Sequence, residues 1–210
     1  MLFKMEISSY LDSMFDQIKD LDTIVCASKY FTMDEIVKIY HLGIKHFGEN
    51  RVDALLEKQE ALNDLKIHWH FIGHLQRNKV KEVISKIEVL HSLDSVLLAK
   101  EIQKYRKKPL DCFIQVNLTK ETQKYGVLEE NLNHFIKEIQ KYDKINIVGL
   151  MCMGQLDDSD KTKEIFKKLN DLNISLGLKQ LSMGMSHDYL LALPYHPRYM
   201  RIGSLFKGVI

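Results

Sequence analysis

Lys29 ends the run Ile24-Val25-Cys26-Ala27-Ser28-Lys29, an apolar, β-branched stretch with no Gly or Pro. The run reads as a buried strand that delivers an amine at its carboxyl end. Period-2 alternation puts Val25, Ala27 and Lys29 on one face and Ile24, Cys26 and Ser28 on the other. Desolvation disfavours an ammonium, so an amine at the mouth of an enclosed face can serve as a nucleophile near neutral pH. Forming a Schiff base with an aldehyde is the chemistry that most often uses such an amine. A lone strand-end lysine more often reaches back to water, so a nucleophilic Lys29 needs partners elsewhere in the chain.

Support comes from two stretches near the carboxyl end. Ser182-Met183-Gly184-Met185-Ser186 looks like a turn of small hydroxyl residues and glycine, ahead of a helix over Asp188-Tyr189-Leu190-Leu191-Ala192-Leu193. In Arg201-Ile202-Gly203-Ser204, Gly203 allows a close backbone approach and Ser204 can cap a short terminal helix. Unpaired N–H groups at helix starts, together with a serine hydroxyl, favour a phosphate dianion. By alternation Arg201 shares an inward face with Tyr199, while Met200 and Ile202 face away. A buried guanidinium needs a planar acceptor, an anion, or an ion-pair partner such as Glu49.

The elements that must position these groups follow a regular alternation. A helix over residues 8–20 precedes the first strand. Thr32 and Glu35 form a capping box for the next helix, and Gly43 closes it. Strands follow at 45–47, 68–72, 87–90, 111–117, 145–150, 179–182 and 199–202, with helical patterns between them, notably at 129–141 and 163–173. Eight strand–helix units imply parallel strands with right-handed crossovers, and eight strands close a barrel. The expected fold is a single-domain (β/α)8 TIM barrel over residues 1–210 with an extra N-terminal helix. A doubly wound sheet is the competing architecture, and no Gly-x-Gly-x-x-Gly follows the first strand to support its dinucleotide form. In a barrel the residues after each strand share one rim, and the loops after strands seven and eight commonly hold phosphate. Lys29, Arg201 and both turns then converge.

A lysine amine, a phosphate cradle and an inward arginine describe a ligand carrying an aldehyde and a phosphate, and pyridoxal 5′-phosphate (PLP) is that molecule. His68, His70 and His74 invite a zinc reading, but no Cys or carboxylate lies at ligand spacing and Trp69 and Phe71 look like core, so no metal is expected. Met151-Cys152-Met153 and Met183-Gly184-Met185 read as adaptable packing that can also pad a planar ring.

The 210 residues suit one well-buried core, and 30 basic against 28 acidic side chains give a net charge of +2. That balance makes no field for nucleic acid or a membrane surface. No apolar run is long enough to span a membrane, and the amino terminus turns polar too early for a secretory signal, so the expected location is cytoplasmic. Cys26, Cys112 and Cys152 are widely spaced in apolar runs and read as reduced core thiols.

With these residues in hand, the sequence resembles the YggS/PROSC family of pyridoxal phosphate homeostasis proteins. The resemblance rests on Ala27-Ser28-Lys29, Phe47-Gly48-Glu49-Asn50, Trp69-His70-Phe71-Ile72-Gly73, Leu75-Gln76 with Asn78-Lys79, His91-Ser92-Leu93-Asp94, Gln115-Val116-Asn117, Gly149-Leu150-Met151, Ser182 to Ser186 and Arg201-Ile202-Gly203. His74 stands where the family usually has Pro. The resemblance implies an alanine racemase N-terminal-domain-like barrel with PLP covalent on Lys29. It further implies Arg201 facing the pyridine nitrogen, Ser182, Met183, Gly203 and Ser204 at the phosphate, and Asn50 and Met151 near the ring. The implied role is non-catalytic: a monomeric, reversible carrier that buffers the cofactor and hands it to PLP-dependent apo-enzymes. An arginine at the ring nitrogen weakens the ring as an electron sink, and alanine racemases take a catalytic tyrosine from a further domain not expected here. A small amino-acid racemase is the enzymatic alternative, and a cofactor-free Schiff-base aldolase a third reading.

Overall fold

Runs of β-branched and aromatic residues become strands that pair only in parallel. The computed structural model describes residues 13–119 and 125–207. Its strands are β1 (Ile24–Ala27), β2 (His46–Glu49), β3 (His68–Phe71), β4 (Val89–Leu93), β5 (Leu110–Asn117), β6 (Val127–Leu128), β7 (Ile145–Met151), β8 (Gln180–Met185) and β9 (Tyr199–Ile202). The order β4-β3-β2-β1-β9-β8-β7-β5 closes on itself through pairing of β4 with β5, while the short β6 adds beside β5. This is the eight-stranded barrel that the alternation of elements predicts. A helix over residues 13–18, α1, precedes β1; the expected residues 8–12 of that helix lie outside the described residues. The crossovers carry α2 (Met33–His41), α3 (Val52–Ala61), α4 (Val80–Val83), α5 (Val96–Tyr105), α6 (Leu132–Ile139), α7 (Ser159–Ser175) and α8 (Tyr189–Ala192). Among the described residues, no helix is long and apolar enough to cross a membrane.

Local chemistry sets these boundaries. The Thr32 hydroxyl accepts from the Glu35 N–H while the Glu35 carboxylate accepts from the Thr32 N–H, which completes the predicted capping box of α2. Asp158 caps α7 and starts it four residues earlier than its apolar stripe suggests. Alternation along the strands separates two cores. Val25, Val89, Phe113, Met151 and Tyr199 pack inside the barrel, whereas Ile24, Cys26, Met200 and Ile202 join a much larger cluster between sheet and helices. The cysteines Cys26, Cys112 and Cys152 are free and buried.

Two boundaries bear on function. β1 stops at Ala27, and Ser28–Tyr30 form a 3₁₀ turn, so Lys29 is not a strand residue. β8 runs through Met185, three residues past its expected end, because Gly184 takes φ +90° and lets the strand bulge instead of turning. Met183 therefore belongs to the strand together with Ser182.

Candidate functional site

The carboxyl ends of the strands open onto a cavity of about 510 Å³, a size suited to a small organic ligand. Lys29 lines it after β1, Asn50 after β2, Met151 from β7, Ser186 after β8, and Arg201, Gly203 and Ser204 from β9 and its exit; Tyr30 and Tyr125 complete the wall. This is the rim where barrel enzymes place their chemistry.

Lys29 is exposed, with Nζ 4.5 Å from the centre of the Tyr30 ring. The desolvated setting expected for this amine from alternation along its strand is absent, and the fold gives it firm placement instead. Ser28, fully buried, donates its hydroxyl to Glu49 Oε1 at 2.8 Å. Lys58 of α3 donates to the Ser28 carbonyl at 2.6 Å and is ion-paired with Glu49. Both charges are buried, paired and hydrogen-bonded, the condition under which an interior tolerates them. The turn that carries Lys29 is thus fastened from beneath. Lys29, hydrogen-bonded to Tyr30, in turn holds that phenol below its ordinary tyrosine value.

Arg201 lies at the cavity floor and is almost wholly buried. Its Nη1 donates to Ser182 Oγ at 2.6 Å and its Nη2 to the Cys152 carbonyl at 2.8 Å. Both acceptors are neutral. Glu49, the ion-pair partner considered from sequence, is taken by Lys58, and no carboxylate is within ion-pair distance of Arg201 among the described residues. Burial pushes the Arg201 pKa down, yet a guanidinium keeps its charge. A buried cation whose hydrogen bonds go to neutral acceptors, with Asp188 acting on it only from beyond ion-pair distance and one edge on a cavity, is set to meet an electron-rich ligand atom.

The phosphate residues expected from sequence divide. Gly203 and Ser204 line the cavity; a Cβ at Gly203 would come within 3.1 Å of the Ala27 carbonyl oxygen, so glycine lets the β9 exit close against the end of β1. Ser182 and Met183 do not line it: the Ser182 hydroxyl is buried against His91 and Arg201, and Met183 packs outward under the helices. The hydroxyl of this segment that reaches the cavity is Ser186, which accepts the Gly203 N–H at 3.0 Å and keeps its own hydrogen for a ligand. Asn50 is exposed on the wall and Met151 buried at the floor.

His46 and His91, to which the sequence assigns no role of their own, join a line of buried histidines. His46 Nδ1 lies 2.9 Å from His70 Nε2, and His70 Nδ1 lies 2.8 Å from His91 Nε2. His91 Nδ1 lies 2.7 Å from Ser182 Oγ. His46 pairs in register with Val25, an inward position, so alternation applied to β2 would have turned it inward as well.

A closed parallel barrel with a lysine and a buried arginine facing one cavity at its rim defines a class of ligand-holding domain, and comparison with known proteins agrees. Residues 23–209 match the family described as alanine racemase, N-terminal domain. The chain is 40% identical over 192 residues to the pyridoxal phosphate homeostasis protein of Aquifex aeolicus, covering 87% of this chain and 84% of that one. It is 34% identical over 219 residues to the protein of the same name from Schizosaccharomyces pombe, covering 96% and 92%. The structure of PipY of Synechococcus elongatus with PLP bound superposes with a TM-score of 0.87 at 28% identity, covering 95% of this chain and 99% of that one. Alanine racemase of Corynebacterium glutamicum shares the fold alone, with a TM-score of 0.67 at 14% identity over 90% of this chain and 57% of its own. The chain belongs to the pyridoxal phosphate homeostasis protein family, built on the alanine racemase N-terminal domain.

Proposed function

We propose that this chain binds PLP reversibly, keeps the free aldehyde low and passes the cofactor to PLP-dependent apo-enzymes, as a monomer in the cytoplasm. The observation that carries the reading is one cavity joining the amine of Lys29 to the guanidinium of Arg201, whose two hydrogen-bond acceptors are both neutral. The names of the relatives and the PLP-bound PipY structure support it. When bound, PLP supplies an aldehyde that an amine can hold covalently and a ring that can withdraw electrons.

Lys29 offers that amine from a fastened turn. Ser186, Gly203 and Ser204 offer hydroxyl and backbone donors to a phosphate, with Asn50 and Met151 beside the ring. Ser182 and Met183 act from behind this layer. Arg201 can only donate, so toward a ring nitrogen it leaves that atom unprotonated and the ring a weak electron sink. This arrangement favours storage over carbanion chemistry. Purified protein should be yellow, and mild hydride reduction should fix the cofactor on Lys29 in a peptide mass map; a colourless preparation that takes up no added PLP, with Lys29 unmodified, overturns the reading.

A second reading, a small amino-acid racemase, draws on Tyr125, which lines the cavity and stacks on His74 with ring centres 3.7 Å apart. That phenol is a candidate proton carrier besides Lys29. Rapid inversion of L-alanine by the loaded protein, followed by optical rotation, would establish this reading over the storage role.

A further inference from the structure

Arg201 is the near end of a hydrogen-bonded chain that runs through the barrel interior. Beyond Ser182 it passes through His91 of β4, His70 of β3 and His46 of β2, with each contact at 2.7–2.9 Å. His70 and His91 are fully buried and His46 nearly so. Tyr199 lies against all three imidazoles, with ring centres 4.8–5.5 Å away, and Phe113 stacks on His91. Beyond His46 comes His68, stacked on it at 4.7 Å, exposed and paired with Glu88. The chain therefore links the cavity floor to the opposite end of the barrel.

Its hydrogens can be placed from valence alone. Arg201 has no acceptor, so Ser182 Oγ must accept from Nη1. The one hydrogen of that hydroxyl has no partner but His91 Nδ1 among the described residues. A neutral imidazole has one donor and one acceptor. His91 must then carry its hydrogen on Nε2 and give it to His70 Nδ1. By the same step His70 gives its Nε2 hydrogen to His46 Nδ1. The opposite polarity would point two donors at the Ser182 oxygen and strand its own hydrogen in the interior, at a cost of about 1–3 kcal/mol for an unsatisfied buried group. Burial keeps all three imidazoles neutral, with Arg201 adding to the effect at His91.

We propose that His46, His70 and His91 are positioning residues: a one-way hydrogen-bonded chain that commits the Ser182 hydroxyl to accepting from Arg201 and so fixes the guanidinium toward the ring nitrogen of the bound cofactor. The role toward the cofactor rests on the proposed function; the polarity of the chain does not. His70 touches neither Arg201 nor Ser182, which makes it the test position. His70→Asn keeps an acceptor for the His91 N–H, whereas His70→Phe fills the space but offers none. If His70 only packs, Phe is the milder change; if polarity matters, Asn is.

The experiment uses the full chain in two states. In the unliganded protein, nitrogen-15 spectra of the histidine rings at neutral pH should show His46, His70 and His91 as neutral rings with hydrogen on Nε2. A ring with hydrogen on Nδ1, or a charged one, overturns the chain, and this readout holds even if PLP proves not to be the ligand. In PLP titrations, His70→Phe should weaken binding on the order of tenfold, the loss of about one hydrogen bond, with His70→Asn nearer the parent. Equal losses, or the reverse order, overturn the positioning role. Failure of the parent to bind PLP at all would instead overturn the proposed function.

Discussion

Lys58 and Ser28 meet across the barrel wall: the ammonium of Lys58, from α3, donates to the Ser28 carbonyl at 2.6 Å, one residue before Lys29. The contact ties a crossover helix to the turn that presents the amine. Replacing Lys58 with Met leaves Glu49 buried without its cation, so stability should fall by about 3–5 kcal/mol. Denaturant unfolding measures the loss, and reductive trapping on Lys29 should fall with it. The pair Lys58→Met with Glu49→Gln should recover most of the stability; no recovery would locate the cost elsewhere.

Lys29→Ala removes an exposed side chain from the rim and opens no core cavity. Thermal unfolding should stay within about 0.5 kcal/mol of the parent, while hydride reduction should no longer attach PLP. A markedly lower melting temperature would mean that Lys29 has a structural role that its exposure does not suggest.

Stability should weaken in mild acid. Burial pushes His46 from 6.5 down to about 4, and drives His70 and His91 well below their ordinary value. Below about pH 6.5 the unfolded chain takes up protons at these rings that the folded chain refuses, so unfolding gains with each step of acidification. The contribution is complete above about pH 6.5 and is lost as pH falls toward 4. Denaturant midpoints at pH 7.5, 6 and 5 should decrease in that order; a flat profile would contradict three neutral interior imidazoles.

The thiols of Cys26, Cys112 and Cys152 are buried, and burial raises the pKa of each. A thiolate reagent should find no reactive cysteine in the native protein and three after denaturation. Fast labelling of any one in the folded state would show that its element opens locally.

Much of this was legible in the sequence for a physical reason. Parallel strands covered on both faces read as apolar runs, and β9 falls on its expected residues, with Arg201 turned inward and Met200 outward. The turn at Lys29 was hidden because Ser28-Lys29-Tyr30 contains no Gly or Pro to mark it; the Lys58–Glu49 pair, formed through tertiary contact, holds it. Gly184 misled in the opposite sense: glycine between two methionines reads as a turn, yet here it permits a bulge inside β8. The histidine chain was invisible to spacing, since its members come from separate strands and the Ser182 link spans 91 positions.

The barrel's apolar packing is unevenly shared. Among the described residues, Val25, Val89, Phe113, Met151 and Tyr199 cluster along its axis with Ile72 and Val148 against them, while most of the aliphatic mass lies outside, between strands and helices. Cohesion therefore resides in the outer wall, and the lumen is free to carry polar equipment. Substitutions down the axis can retune what the rim grips while the surrounding hoop keeps the chain folded, which gives selection somewhere to adjust affinity without dismantling the scaffold.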